Sequence, residues 1–194
     1  MSWTEEVARV ASALEVAPAA PRLARFVELF ERWNQRINLS AARTHKDLAQ
    51  HVIDSLALVP HLRESGSVVD VGSGGGFPGL VIAIALEHIS VRCIEPLHKK
   101  TAFLSSVVRE LELDRVEVVT RRVEPAQDHD FDVAVSRATF DLTEWLALGA
   151  TLVRPGGRVL GMEGRERVDL GPHDTRHAYE LADRQRAVIV RLVV

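Results

Sequence analysis

The 194-residue sequence predicts an α/β fold: a mostly parallel, twisted sheet with helices on both faces, an antiparallel strand at its C-terminal end, and a helical extension ahead of it. Three observations carry this. From Ser67 to Met162, short apolar segments alternate with segments of helical periodicity, which implies parallel strands joined by helical crossovers. The first strand runs into a glycine-rich turn, Gly72-Ser73-Gly74-Gly75-Gly76, with an apolar helix behind it. Two further strand-like stretches, 178–182 and 187–194, flank Asp183-Arg184-Gln185 and read as a terminal hairpin.

The extension comes first. Trp3, Val7, Val10, Ala11 and Leu14 recur at helical spacing and predict a helix over 3–14. Residues 17–21 form a proline- and alanine-rich connection. Leu23, Phe26, Val27, Phe30, Trp33 and Ile37 make one apolar stripe, so a second helix spans 23–37 with Trp33 packed in the core. The pattern breaks at 38–42. A third helix, 45–62, sets Leu48, Val52, Leu56 and Val59 on one face and carries His51, Asp54 and Ser55. His51 and Asp54, three apart, share a helical face; without further ligands at sensible spacing they do not read as a metal site. Residues 1–62 are thus expected to be a helical extension packed on the core, and 63–194 the ligand-binding domain.

In that domain the predicted elements are a strand at 67–71, a helix at 80–86, a strand at 90–95, a helix at 98–113, strands at 116–120 and 131–136, a helix at 142–153, and a strand at 158–162 reached through Arg154-Pro155-Gly156-Gly157. The polar, unpatterned stretch 165–176 reads as a loop or flap.

Composition bounds the function. Hydrophobic residues make up 46% and charged residues 26%, as in a globular protein, and the formal net charge of −3 argues against a nonspecific nucleic-acid coat while leaving room for a local basic patch. The single cysteine, Cys93, lies in an apolar strand and reads as a buried hydrophobe. The first ten residues contain Glu5 and Glu6 and no apolar core, and no apolar run reaches membrane-spanning length, so a soluble cytoplasmic protein is expected.

The glycine turn carries the chemistry. Glycines let backbone approach a ligand closely, and the N–H groups at a helix start favour a polar or anionic ligand group. Asp70 sits two residues before the first glycine, near the strand tip, and Glu95 ends the next strand, where a carboxylate can accept both hydroxyls of a ribose. A pyrophosphate would be repelled by Asp70, whereas the cationic aminoacyl end of S-adenosylmethionine would not. S-adenosylmethionine is therefore the expected cofactor, with a nicotinamide dinucleotide as the alternative. The run from Asp70 to Gly76 is similar to the first motif of Rossmann-like methyltransferases.

Several further stretches, in order, resemble one family: Trp33-Asn34-Gln35-Arg36-Ile37-Asn38-Leu39-Ser40, His51-Val52-Ile53-Asp54-Ser55-Leu56, Asp70 through Phe77-Pro78-Gly79, His98-Lys99-Lys100, Arg122-Val123-Glu124 and Ser136-Arg137-Ala138. Together they resemble the RsmG (GidB) family of bacterial 16S rRNA guanine-N7 methyltransferases. The resemblance implies a class I methyltransferase domain with an N-terminal helical extension, S-adenosylmethionine as cofactor, and 16S rRNA of the small ribosomal subunit as partner, with a monomer expected. It implies that Gly72, Gly74, Gly76 and Phe77 line the cofactor site together with Asp70 and Glu95. Val123 and Glu124 then meet the adenine, and Arg137, at a strand tip, clamps the methionyl carboxylate or a target phosphate. Arg137 is the residue expected to position the reaction. His51, Asp54, Ser55, Lys99, Lys100 and Arg165 are substrate-side candidates, the first three reading equally as residues that fix the amino-terminal helices onto the sheet, within a wider basic set of Arg36, Arg43, Lys46, Arg121, Arg122 and Arg167.

One departure stands out: Met162-Glu163-Gly164 replaces the family's usual Lys-Gly, which implies a weaker RNA backbone contact or a cation relocated to Arg165 or Arg158. Guanine N7 has an exposed lone pair, so alignment rather than a general base is the expected contribution to catalysis. The competing readings are a nucleotide-dependent oxidoreductase using the same turn, and a non-catalytic RNA-binding or ribosome-assembly module.

Overall fold

A computed structural model describes residues 2–40, 42, 44–137, 139–164 and 169–194. The extension contains α1 (Trp3–Ala13), α2 (Ala20–Ile37) and α3 (His45–Leu56). Then β1 (Ser67–Val71), α4 (Gly79–Ala85), β2 (Ser90–Ile94), α5 (His98–Glu110), β3 (Val116–Val119), β4 (Phe131–Ser136), α6 (Leu142–Ala150) and β5 (Val153–Glu163) alternate, and β6 (Asp174–Leu181) and β7 (Arg184–Leu192) close the chain.

Local chemistry sets the boundaries. Ser2 with Glu5, and Thr44 with Asp47, form capping boxes that satisfy backbone N–H groups at the starts of α1 and α3. The third helix stops at Leu56, short of the expected 62, because Pro60 cannot continue it; a single 3-10 turn, Val59–His61, takes its place. Asn34 explains the polar motif after the α2 stripe. It is buried, its amide donates to Ala42 O (2.9 Å), and its carbonyl accepts the Ser40 N–H (3.0 Å), pinning the connection to α3. Trp33 packs edge-on against Phe103, with ring centroids 5.8 Å apart.

The seven strands form one sheet in the order β3-β2-β1-β4-β5-β7-β6. β1 through β5 are parallel, and β7 runs antiparallel between β5 and β6. The hairpin turn is Ala182-Asp183, both left-handed (φ 50° and 59°), as a two-residue connection requires, one residue earlier than the sequence suggested. β6 begins at Asp174, inside the stretch read as a loop. It is an edge strand whose side chains are mostly exposed, so no apolar alternation marks it. Pairing to β7 and a two-pronged Arg191–Asp174 ion pair (2.7 and 2.8 Å) hold it instead.

Strand residues alternate between two cores. On one face Val68, Val91, Val133, Val135, Leu160 and Val188 pack with residues from α1 through α5 in a single buried cluster. The other face, built on Val69, Val71, Ile94, Ala134, Val159 and Ile189, is covered by α6 through Trp145 and Leu146. Helices therefore lie on both faces but unequally, and the extension shares its core with the sheet.

Candidate active site

The turn after β1 is wired to the tip of β2. Gly72 and Ser73 donate N–H groups to Ile94 O (2.8 and 3.2 Å), and Gly76 donates to Ser73 O (2.7 Å). Glu95, 4% exposed, accepts the Gly74 N–H through Oε2 (3.0 Å) and the Leu97 N–H through Oε1 (3.0 Å). The carboxylate thus fixes the glycine turn itself, and each oxygen retains a lone pair for a further donor. Gly72 has φ +74°, and a Cβ there would collide with Thr139, whereas a Cβ on Gly74 would meet nothing closer than 3.6 Å. The backbone at Gly74 is the open stretch of the cradle.

Asp70 lies beneath this turn rather than in an open cleft. It is fully buried, and its Oδ2 accepts the N–H of Gly79 at the start of α4 (3.0 Å). Its Oδ1 is buried without a hydrogen-bond partner. Burial pushes its carboxyl up to about 7, against the hydrogen bonds and the Arg137 charge that favour ionisation. A buried orphan oxygen under a glycine cradle fits a ligand that brings a donor or positive charge, as S-adenosylmethionine does. Phe77, joined to Pro78 by a cis peptide, is also buried, among Phe26, Phe30 and His51. Val123 packs on the second core, Glu124 is exposed, and the Glu124 N–H donates to Asp128 Oδ2 (2.9 Å). Asp128, unremarked in the sequence, is buried and gripped by both prongs of Arg121 (2.6 and 2.8 Å), so Arg121 is committed to shaping this loop.

Arg137 leaves the tip of β4 and turns toward α3. Its Nη1 lies 3.1 Å from His51 Nδ1 and 3.4 Å from Asp54 Oδ2, and its guanidinium carbon sits 5.1 Å from the Phe77 ring centre. Asp54 is a hub. It also accepts the Tyr179 hydroxyl (2.6 Å) from β6 and Nη1 of Arg186 from β7 (3.2 and 3.1 Å). Burial, then the Arg137 charge, lowers the His51 pKa to about 4, so the ring is neutral at pH 7 and its Nδ1 accepts from Arg137. Ser55 is buried, and its hydroxyl donates to His51 O (2.8 Å) within α3. His51 and Asp54 share a helical face as expected, but their contact with Arg137 was not foreseen, and Arg186 and Tyr179 had no signal: they are more than a hundred residues from Asp54 in sequence.

Lys99 is exposed at the start of α5, where the helix dipole disfavours a cation. Lys100 approaches the glycine turn, with Nζ 4.0 Å from Glu95 Oε2. Glu163 is buried rather than on the surface. It is 2% exposed and held by Arg176 through two bonds (2.9 and 2.8 Å), reaching past the small Ala187 of β7. Arg158 does not take over the missing lysine's place either, because its Nη2 points to Ser65 (3.3 Å), at the opposite edge of the sheet from the glycine turn. Arg165, Arg167, Arg43 and Ala138 lie outside the described residues. Cys93 is buried, and burial pushes its thiol well above the usual range. Among the described residues no three potential ligands cluster for a metal, and no helix is long and apolar enough to cross a membrane.

The strand order, the glycine turn after β1 and the carboxylate after β2 define a Rossmann-like methyltransferase. Solved structures agree on the fold. A methyltransferase from Geobacter sulfurreducens superposes with a TM-score of 0.63 at 17% identity, covering 87% of this chain and 88% of that one. An O-methyltransferase from Bacillus cereus, described in complex with SAH, gives 0.63 at 18% identity, covering 88% and 91%. The family described as rRNA small subunit methyltransferase G matches residues 19–187. Proteins named ribosomal RNA small subunit methyltransferase G are 43% identical over 155 residues in Chromobacterium violaceum, covering 78% of this chain and 74% of that protein. In Burkholderia pseudomallei they are 45% identical over 148 residues, covering 72% and 64%. The chain belongs to the rRNA small subunit methyltransferase G family, whose cofactor is S-adenosylmethionine.

Proposed function

We propose that this protein transfers a methyl group from S-adenosylmethionine to N7 of a guanine in 16S rRNA of the small ribosomal subunit. The observation that carries the reading is the glycine cradle fixed by Glu95 over the unpartnered Asp70 Oδ1, in a chain of this family. S-adenosylmethionine supplies an electrophilic methyl group on a sulfonium. Glu95 and the Gly74 backbone hold its ribose, Asp70 complements its positive charge, and Val123 and Glu124 border the adenine. Gly72, Gly76 and Phe77 support the cradle from below. Arg137 positions the reactants, with His51 and Asp54 holding its guanidinium. Lys99, with Arg36, Lys46 and Arg122, all exposed, provides candidate phosphate contacts, so RNA affinity falls as salt rises. Guanine N7 attacks without losing a proton, and the neutral His51, tied to Arg137, is not asked to act as a base. The chain acts in this reading as a cytoplasmic monomer in which residues 1–62 brace the catalytic unit of 63–194; sedimentation at the dimer mass would refute the oligomeric part.

The test is transfer of labelled methyl from S-adenosylmethionine to small subunits lacking their native modification, with nucleoside analysis. Labelled N7-methylguanosine is expected. Cofactor binding with no transfer to any RNA would favour a non-catalytic binding module, and nicotinamide binding in place of S-adenosylmethionine an oxidoreductase.

A further inference from the structure

Among the described phenylalanine, tryptophan and tyrosine side chains, Phe140 is the one that is exposed. It follows β4 at the carboxyl edge of the sheet, with 37% of its surface open. Its inner face stacks on Trp145, with centroids 5.8 Å apart and planes 18° from parallel. Trp145 is itself 2% exposed and anchored to β5 by its indole N–H, which donates to Leu160 O (2.9 Å). The exposed ring therefore rests on a fixed support rather than on a mobile loop side chain.

Its place relative to the glycine turn narrows what it can meet. The preceding residue, Thr139, abuts Gly72, with Oγ1 3.4 Å from Gly72 O. Among the described residues four large apolar side chains are exposed; Leu192 and Val194 lie at or beyond the end of β7, and Leu97 and Phe140 remain at the cofactor edge. Leu97 follows β2 and its N–H is bound by Glu95, on the ribose side of the turn. Phe140 lies on the other side, past β1 and next to β4. A cavity of about 30 Å³ between Phe140, Ser136, Leu142, Trp145 and Met162 is far too small for a purine, so a base can meet only the outer face of the ring.

We propose that Phe140 is the stacking platform for the target guanine. Resting on the rRNA methyltransferase reading above, this names the residue that holds the base flat with its N7 rim toward the glycine turn. Aromatic rings are the usual partners of unstacked RNA bases, and stacking accepts any base, so Phe140 orients the guanine and does not identify it.

The test compares Phe140→Ala, Phe140→Leu and Phe140→Trp in single-turnover methyl transfer to unmodified small subunits, with calorimetric binding of S-adenosylmethionine alongside. Loss of the ring is expected to slow transfer by about tenfold or more, with cofactor affinity unchanged. Phe140→Leu should fall with Phe140→Ala, because it keeps apolar bulk without a planar face, and Phe140→Trp should recover most of the rate. A wild-type rate in the alanine or leucine variant, or an equal loss of cofactor affinity, would overturn the assignment. An active wild type with an unaffected alanine variant would overturn the platform alone. A wild type forming no N7-methylguanosine would overturn the parent reading, and the platform with it.

Discussion

Asp54 and Asp70 are equally hidden from water, at 3% and 0% exposure, yet their surroundings are opposite. Asp54 collects two guanidiniums and a tyrosine hydroxyl from β6, β7 and the residue just past β4. Asp70 has one backbone N–H on Oδ2 and nothing on Oδ1. Burial alone disfavours any carboxylate, and partners decide whether the cost is offset within the protein or left for a ligand. The first arrangement is a completed structural joint. The second is an incomplete one, which suits a binding site.

The comparison can be broken most forcefully at Asp54. Asp54→Ala leaves Arg137 and Arg186 facing each other without a counter-charge, and about 3 kcal/mol or more of stability should be lost. A denaturant midpoint close to wild type would mean that the joint contributes little. Asp70 predicts a pH dependence. Its carboxyl sits at about 7 in the fold against an ordinary 3.8, so between those values the folded chain keeps a proton that the unfolded chain has released. Stability should therefore fall as pH rises from about 4 to about 7 and level off above, by at most about 4 kcal/mol, and Asp70→Asn should abolish that slope. Unfolding curves collected across the range decide the point, and identical profiles for the two proteins would remove Asp70 as the source. Arg137→Ala should keep the fold, since Arg186 and Tyr179 still hold Asp54, while methyl transfer drops by roughly 100-fold; unchanged turnover at saturating RNA would end its positioning role. Smallest is Glu95→Ala, expected to weaken S-adenosylmethionine by about tenfold in calorimetry, as lost carboxylate hydrogen bonds imply. An unaltered affinity would reject the ribose contact.

The two aspartates also mark how far the sequence can be read. The Asp70 neighbourhood is local: strand, glycines and helix start lie within a dozen residues, and backbone geometry follows from residue type. The alternation of strands and helices up to β5 was legible for the same reason. The Asp54 hub was legible only in half. His51 and Asp54 share a helical face, but Arg186 and Tyr179 reach them because β7 inserts between β5 and β6, a choice of strand order that no local pattern encodes. The Glu163–Arg176 pair was hidden likewise, since β6 is an exposed edge strand whose polar run looks like a loop. What read as a missing cation at the end of β5 is a carboxylate neutralised from the neighbouring hairpin.

The position of β7 bears on the protein's birth at the ribosome. β7 is later in the chain than both strands it joins, so a nascent polypeptide can lay down the glycine cradle and all five parallel strands while the sheet still has an open gap. Until β7 emerges, β5 and β6 present unpaired edges and Asp54 lacks Arg186. A chain interrupted at that stage can hold the glycine turn while the Asp54 joint is unfinished, so the most local part of the fold can form ahead of its most distant contacts.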